Sequence, residues 1–423
     1  MTDIESGTLR SVAWSEMCPW LSIFRTFRLA VSPRILLLGA VAILLTATMW
    51  GLFGWAFSGD STAADAAVTG WTQPYAKSAW AAVTEMVPDA PWPLGGPGPA
   101  EGYPSAAGTD LPPDPMFGPW ARLSRPLWAI FSPHATKSDL ACLLLCGISS
   151  LAIWAFFGAA ITRIVAVQLA SDERIGWGSA LRHACTKWVS YLAGPLFPLL
   201  GMAAAAFPIW VLGWPLRADV GVLVVGLAWP LLLAMGLIMT LLLLGLIFGW
   251  PLMWPTISAE GTDSFDALSR SYAYVFQRPI HYLFYACVAA VFGWLGWLLV
   301  QNFAAGVIWL TYWAASWSGG ENVGVIMGAG KSLEGIGYAG STVIWFWAGC
   351  VKLVAVGFIY GYFWTAATAI YFLLRRDVDA TEMDEVFLDA DQSEETFGLP
   401  PLRTDAAGAP VIADQPPEEA AGN

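Results

Sequence analysis

Long apolar runs alternate with short polar and basic stretches along most of the chain. Six of these runs carry almost no charged residue, and each reaches or exceeds the roughly 20 residues that an α-helix needs to cross about 30 Å of hydrocarbon. This pattern predicts an all-α polytopic membrane protein with about six transmembrane helices. The runs cover residues 35–57, 139–162, 191–214, 221–255, 280–310 and 341–374.

The composition excludes an ordinary soluble domain. Of the 423 residues, 57% are hydrophobic and 12% are charged, and the mean hydropathy is +0.58. Soluble domains carry about 25% charged residues, so a soluble fold would need an implausibly large apolar interior. Asn is scarce, no Asn-x-Ser/Thr acceptor occurs and Arg is commoner than Lys. These features suggest a bacterial protein, which we expect in the cytoplasmic (inner) membrane.

Basic residues fall in alternate loops between the predicted spans. Because Lys and Arg concentrate in cytoplasmic loops, we predict that both termini are cytoplasmic. Residues 1–33 are expected to be an amphipathic cytoplasmic segment leading into a signal anchor, and 34–376 a six-span membrane domain. The clusters that set this orientation are Arg25, Arg28 and Arg34; Arg163, Arg174, Arg182 and Lys187; Arg270 and Arg278; and Arg375 and Arg376.

Two extracytoplasmic loops are predicted. The loop 58–137 is rich in Pro and Gly, and a loop of this length without its own core is either functional or disordered. Near its end, residues 117–133 place apolar side chains on one helical face beside two Arg residues. This stretch predicts an interfacial helix on the outer leaflet, broken at Pro126. The second loop, 313–340, is Gly-rich.

The acidic segment 377–423 is expected to be a disordered cytoplasmic tail. It supplies most of the net charge of −12. Its apolar island "MDEVFLDADQSEETFGLPPL" is either a docking peptide for a cytoplasmic partner protein or part of a solvated tail.

The stretch "DSFDALSRSYAYVFQRPIHYLFY" joins a capped amphipathic helix directly to a helix that is apolar enough to span a membrane. Asp263 is placed to cap the helix, and Pro279 is expected to redirect the chain into the next span. The residues predicted to share its apolar face are Phe265, Leu268, Tyr272 and Val275.

Weaker versions of this junction precede the first and third spans. The chain is therefore either three repeats of helix plus transmembrane hairpin, beginning near residues 14, 174 and 262, or a set of unrelated helices that each need a basic face. Basic side chains beside a span are suited to anionic lipid headgroups. The residues predicted to contact headgroups are Arg25, Arg28, Arg182, Lys187, Arg270 and Arg278.

The "DALSRSYAYVFQRP" helix resembles the membrane domains attached to some bacterial glycerophosphodiester phosphodiesterases and related uncharacterised multi-pass families. The resemblance covers one junction and implies an architecture alone. No soluble phosphodiesterase barrel is present in this sequence, so that family's catalytic residues have no positions here to match.

Ionisable residues inside predicted spans are the first candidates for function in a membrane protein. Carboxylates are absent from the middle of every run, which argues against a proton relay. Lys352 has two interpretations. Its side chain either extends to the outer interface, or is a buried cation on a polar pathway near Gln301 and Asn302.

The third span contains Pro195, Pro198 and Pro208. These residues indicate either a broken helix that lines a substrate site or ordinary packing of a membrane helix, in which neighbours satisfy the freed carbonyls. Trp residues near the ends of the runs predict interfacial belts. They are Trp50, Trp55, Trp210, Trp214, Trp250, Trp254, Trp313 and Trp317.

The sequence offers no carboxylate pair, no nucleophile–base pair and no metal-binding set. Its three His residues are scattered and its six Cys residues show no Cys-x-x-Cys spacing. We therefore predict a non-enzymatic protein without a cofactor that organises lipids or a cytoplasmic partner, and no nucleic-acid partner. The alternative is a small-molecule permease with a pathway near the third span. The oligomeric state is left open.

Overall fold

A computed structural model of the chain describes residues 18–57, 79–91, 114–130, 137–172, 174–326, 333–387, 403–404 and 410–411. Six of the described helices are long and apolar enough to cross a membrane. The predicted all-α polytopic fold is therefore confirmed. The long helices are α2 (Pro33–Phe57), α5 (Lys137–Ala170), α6 (Trp177–Leu212), α7 (Asp219–Glu260), α9 (Pro279–Ser316) and α11 (Ile336–Asp379).

Shorter elements connect or accompany these six helices. The short α-helices are α1 (Ile23–Ala30), α3 (Ala79–Thr84), α4 (Phe117–Ile130), α8 (Ser264–Gln277) and α10 (Glu321–Ile326). Two 3-10 turns cover Pro19–Ser22 and Pro215–Arg217, and two antiparallel strands cover Arg403–Thr404 (β1) and Pro410–Val411 (β2).

The loops that carry the predicted basic clusters meet at one end of the bundle, called the basic end here. The Arg34 guanidinium donates to the carbonyl of Ile175, which joins the start of α2 to the segment after α5. Lys187 of α6 donates to the carbonyl of Gly261, which follows α7, at 2.9 Å. The opposite end of the bundle is called the loop end.

The core of the bundle is a cluster of buried aromatic rings between α5, α7 and α11. Trp254 stacks on Trp364 with ring centroids 4.3 Å apart, and Trp154 stacks on Tyr360 at 5.1 Å. These four side chains are at most 1% exposed. A Cβ atom on Gly158 would lie 2.5 Å from the Trp254 ring, so the stack depends on the absence of a side chain at this position.

Helix α6 continues without a break through Pro195, Pro198 and Pro208. Of the two interpretations of this span, the continuous helix supports ordinary packing. Pro195 has no N–H to offer the carbonyl of Tyr191, four residues before it. The indole N–H of Trp254 donates to that carbonyl at 2.9 Å, so a neighbouring helix supplies the missing donor.

The Trp residues predicted to form interfacial belts differ in exposure, and the prediction is wrong for those that are buried. Trp55, Trp210, Trp214 and Trp317 are between 59% and 79% exposed, as a side chain at a membrane interface should be. Trp254, by contrast, is buried in the core, as are Trp50 and, in part, Trp250. A position at the end of an apolar run therefore does not by itself distinguish an exposed Trp from a buried one.

Helices α2 and α11 approach each other at two glycines. A Cβ atom on Gly39 would lie 2.5 Å from the carbonyl oxygen of Gly357. Since the obstructing atom belongs to the backbone, the helices would have to separate to admit it. The contact is a small-residue interface of the type common between membrane helices.

We expect Gly39→Ala to lower the thermal unfolding midpoint of the detergent-solubilised protein, with a cost of about 1–3 kcal/mol from overpacking. Gly51→Ala on the same helix is the matched control, because nothing lies within 4 Å of its added Cβ. The control should be neutral or slightly stabilising, since Ala favours a helix over Gly. Equal midpoints for the two variants would contradict the close approach of α2 and α11.

Candidate functional site

Helix α8 at the basic end packs against the bundle. The backbone N–H of Asp266 donates to the Asp263 carboxylate at 3.0 Å, which confirms the predicted cap. The predicted apolar face is only partly correct, because Phe265 is 68% exposed while Tyr274 and Val275 are buried. The helix turns one face towards α7, where the Tyr272 hydroxyl donates to the carbonyl of Leu242 at 2.6 Å.

Arg270 lies in an ion network that joins α7, α8 and α11. Its guanidinium is 3.1 Å from Asp266 and 3.8 Å from both Glu260 and Asp379. Arg375 holds the same Glu260 carboxylate at 2.7 Å. Burial lowers the pKa of Arg270, but the Glu260 and Asp266 carboxylates outweigh it and raise the pKa overall. Arg270, predicted to contact headgroups, therefore binds carboxylates of its own chain.

Tyrosine hydroxyls complete this network. Tyr274 donates to Asp379, Tyr371 donates to Glu260 at 3.1 Å and Tyr285 donates to Asp377 at 2.8 Å. Burial, with the hydrogen bond to Asp379, raises the pKa of Tyr274, so its hydroxyl stays protonated as a donor. The last turn of α11 is therefore fixed to α7, α8 and α9.

The other residues predicted to contact headgroups fall into two groups. Arg25 pairs with Asp172, and Lys187 donates to the Gly261 carbonyl. Arg28, Arg182 and Arg278 are exposed. Arg278 lies at the α8–α9 junction between Phe276, which is 50% exposed, and Ile280, which is 79% exposed.

At the other end, part of the predicted loop 58–137 packs deep along α2 and α11. Trp80 of α3 stacks on Phe346 with ring centroids 5.2 Å apart, at an angle of 17°. Its indole also occupies the space beside Gly349, where a Cβ would lie 2.6 Å away. Gly349 is about 20 Å along α11 from Ile336 at 1.5 Å per residue, so this segment contacts α11 well beyond the first turns of that helix.

Lys352 forms an ion pair with Asp89, which belongs to the same inserted segment. The Lys352 side chain is 13% exposed, whereas that of Asp89 is 89% exposed. The body of the Lys352 side chain is thus largely buried, and its ammonium meets a carboxylate that solvent reaches.

Gln301 and Asn302 lie at the height of Lys352. On α9, Gly293 packs against Tyr362 and Gly296 packs against Phe358, which fixes an antiparallel register between α9 and α11. Extending this register by about two turns brings residues 301 and 302 level with residue 352. The Asn302 amide donates to the carbonyl of Leu298 at 2.7 Å, and both polar side chains are half-buried.

Helix α4 corresponds to the predicted interfacial helix 117–133, but its position differs. The indole N–H of Trp120 in α4 donates at 2.8 Å to the carbonyl of Ile247. Ile247 lies about 40 Å along α7 from Asp219, the first residue of that helix. Pro251 has no N–H for that carbonyl, so Trp120 replaces the missing helical bond. The helix also runs unbroken through Pro126. It is inserted beside α5 and α7, and the predicted break is wrong.

The described residues at the basic end also contain a buried chain of hydroxyls. The Ser258 hydroxyl lies 2.7 Å from those of Thr162 and Tyr191, and the Tyr191 hydroxyl lies 3.1 Å from Nε2 of His183. Arg163, one of the basic residues used to predict the orientation, is fully buried and donates to the Ser258 carbonyl at 2.7 Å. These residues are far apart in sequence, so no local motif indicated the cluster.

Comparisons with protein-family models, curated proteins and solved structures find nothing that matches this chain. The resemblance to phosphodiesterase membrane domains stays a prediction. Any functional proposal therefore rests on the arrangement of the residues described above.

We expect Trp120→Phe to destabilise the protein by about 1–3 kcal/mol, because the Ile247 carbonyl loses its donor in an apolar environment. In a Pro251→Ala background the loss should be much smaller, since alanine supplies the helical N–H that proline lacks. Thermal unfolding of the four proteins of this double-mutant cycle measures the coupling. Additive effects would show that Trp120 does not compensate for the proline.

Asp89→Asn should destabilise the protein more than Lys352→Met does. The first change leaves a largely buried ammonium without its counter-charge, whereas the second leaves a carboxylate that solvent reaches. Allowing for that screening, we expect a difference of about 1–2 kcal/mol. Glu85→Gln, an exposed acid on the same segment, is the control. Equal losses in the two variants would rule out this asymmetry.

Proposed function

We propose that this is a non-enzymatic protein of the bacterial inner membrane that binds anionic lipid headgroups with its basic end and so organises the surrounding lipids. Both termini lie in the cytoplasm in this proposal. The observation that carries it is the exposed Arg278 between the exposed Phe276 and Ile280. A cation flanked by apolar side chains at the start of a membrane helix suits the boundary between headgroups and acyl chains.

The distribution of charge at the basic end supports this role. Arg270 and Arg375 bind carboxylates, and Arg163 binds backbone carbonyls. Arg28 lies on α1 and Arg278 lies at the junction of α8 and α9, and both side chains are exposed. Cytoplasmic leaflets carry a negative surface potential, which these side chains can meet without breaking the internal network.

The polar clusters favour structure over catalysis. Ser258 is fully buried and its hydroxyl lies within hydrogen-bonding distance of Thr162 and Tyr191. A nucleophile needs both a base and an approach for substrate, and this hydroxyl is shielded from solvent. We therefore propose that these hydrogen bonds join α5, α6 and α7.

A permease is the alternative. It is favoured by the ion pair of Lys352 with Asp89 and by the position of Gln301 and Asn302 at the same height. Its pathway would run between α9 and α11 near the loop end. The third span is a weaker candidate, because α6 is continuous and the carbonyl freed by Pro195 is occupied by Trp254.

Replacing Arg28 and Arg278 together by Gln should weaken the preference for anionic over zwitterionic lipid. At about 1 kcal/mol for each basic residue near the surface, the loss is about 2 kcal/mol, or roughly thirtyfold. The measurement is the relative association of spin-labelled phosphatidylglycerol and phosphatidylcholine with the reconstituted protein, at low and high salt.

Arg217→Gln is the matched control. This exposed arginine lies in the turn between α6 and α7, at the opposite end of the bundle, and its loss should leave the cytoplasmic-leaflet preference unchanged. An unchanged lipid preference in the double variant would overturn the proposal. A preference that salt does not reduce would also contradict its electrostatic basis.

A further inference from the structure

Residues 381–387, called the strap here, fold back across the basic end. Helix α11 ends at Asp379, and Ala380 takes a left-handed conformation with φ of 55° that reverses the chain. Met383 and Val386 then pack against the core. The structure thus differs from the prediction of a disordered tail beginning at 377, because Arg163 and Arg375 hold the first residues after α11. The docking island predicted from residue 383 onwards continues beyond 387, outside the described residues.

Backbone hydrogen bonds hold the strap at Phe387. Its N–H donates to the carbonyl of Ala259 at 2.7 Å, and its own carbonyl accepts from Arg163 at 2.7 Å. Bonds to both backbone groups of one residue are typical of an extended peptide bound in a groove. They recognise an extended backbone, whatever side chain it carries.

Side-chain contacts add selectivity. Arg375 donates to the Glu385 carbonyl at 2.6 Å and lies 3.8 Å from the Glu385 carboxylate. Gly261, which has φ of 64°, packs directly against the Phe387 ring, and any side chain at this position would overlap the ring. In this chain the groove thus holds a partly exposed acidic residue followed, two positions later, by an aromatic residue that packs on Gly261 and is 46% exposed.

Contacts independent of the strap fix the walls of this groove. Arg163 also donates to the Ser258 carbonyl, and Arg375 is held by Glu260. Lys187 donates to the Gly261 carbonyl, which positions the turn beneath Phe387. The recognising groups would thus keep their places when the strap leaves.

We propose that the groove formed by Arg163, Arg375, Ala259 and Gly261 is a peptide-binding site, and that the strap occupies it until a partner protein displaces it. The partner carries an extended acidic–aromatic segment with the pattern Glu-Val-Phe or its equivalent. This inference does not depend on lipid binding at Arg278. Because the strap is covalently joined to α11, its effective concentration at the groove is high. A free peptide therefore competes well only when the contacts of the strap are weakened.

The test uses the full chain in detergent or nanodiscs and a fluorescent peptide, TEMDEVFLDADQ, that copies residues 381–392. Phe387→Ala removes the ring from the strap and leaves the groove intact. We expect this variant to bind the peptide at least about tenfold more tightly than the wild type, because the groove is vacated more often. Fluorescence anisotropy gives the dissociation constants.

Two controls make the result specific. Asp384→Ala changes an exposed acid in the same strap and should bind the peptide as the wild type does. A probe with Ala in place of Phe should bind none of the proteins. If Phe387→Ala fails to fold, Glu385→Gln weakens the strap more gently and should shift binding in the same direction.

Other outcomes would overturn the proposal. Equal, weak binding to the wild type and to a folded Phe387→Ala variant would show that the groove serves the strap alone. A wild-type dimer that forms with rising concentration and is lost in Phe387→Ala would mean that two copies exchange straps.

Discussion

The indole of Trp254 is the single group on which most of the helix arrangement depends. It stacks on Trp364 of α11, fills the space beside Gly158 of α5 and donates its N–H to the Tyr191 carbonyl of α6. Pro195 leaves that carbonyl without a helical donor, and an unpaired carbonyl in an apolar interior costs several kcal/mol. One side chain on α7 thus contacts three of the five other long helices and makes a proline tolerable.

A second proline, Pro251 of α7, is also compensated by an indole from another helix. Pro251 frees the Ile247 carbonyl, and the donor comes from Trp120 on α4, an element supplied by the loop between the first two spans. Because this bond lies deep in the bundle, α4 must enter between the long helices to make it. Polar backbone groups inside the protein thus determine where a loop segment packs.

Features with a local signal could be predicted from the sequence. The spans follow from run length and the Asp263 cap from residue type at a helix start. The pairing of Asp89 with Lys352 and that of Arg163 with Phe387 join residues 263 and 224 positions apart. No periodic pattern in the sequence indicates contacts between residues this far apart. The two interpretations of Pro195 stayed open for a related reason, because local propensity indicates a break and cannot show that Trp254 supplies the missing donor.

The proposed lipid and peptide sites are separate in charge as well as in position. The strap places Glu385 beside Arg375, which already pairs with Glu260. An acidic partner peptide would replace one carboxylate with another and leave the charge of the groove unchanged. Arg278 takes no part in this exchange, so headgroup binding and partner docking are compatible. A neutral peptide would leave Arg375 with Glu260 alone and give up the ion pair with Glu385, so the proposed site is expected to favour acidic peptides.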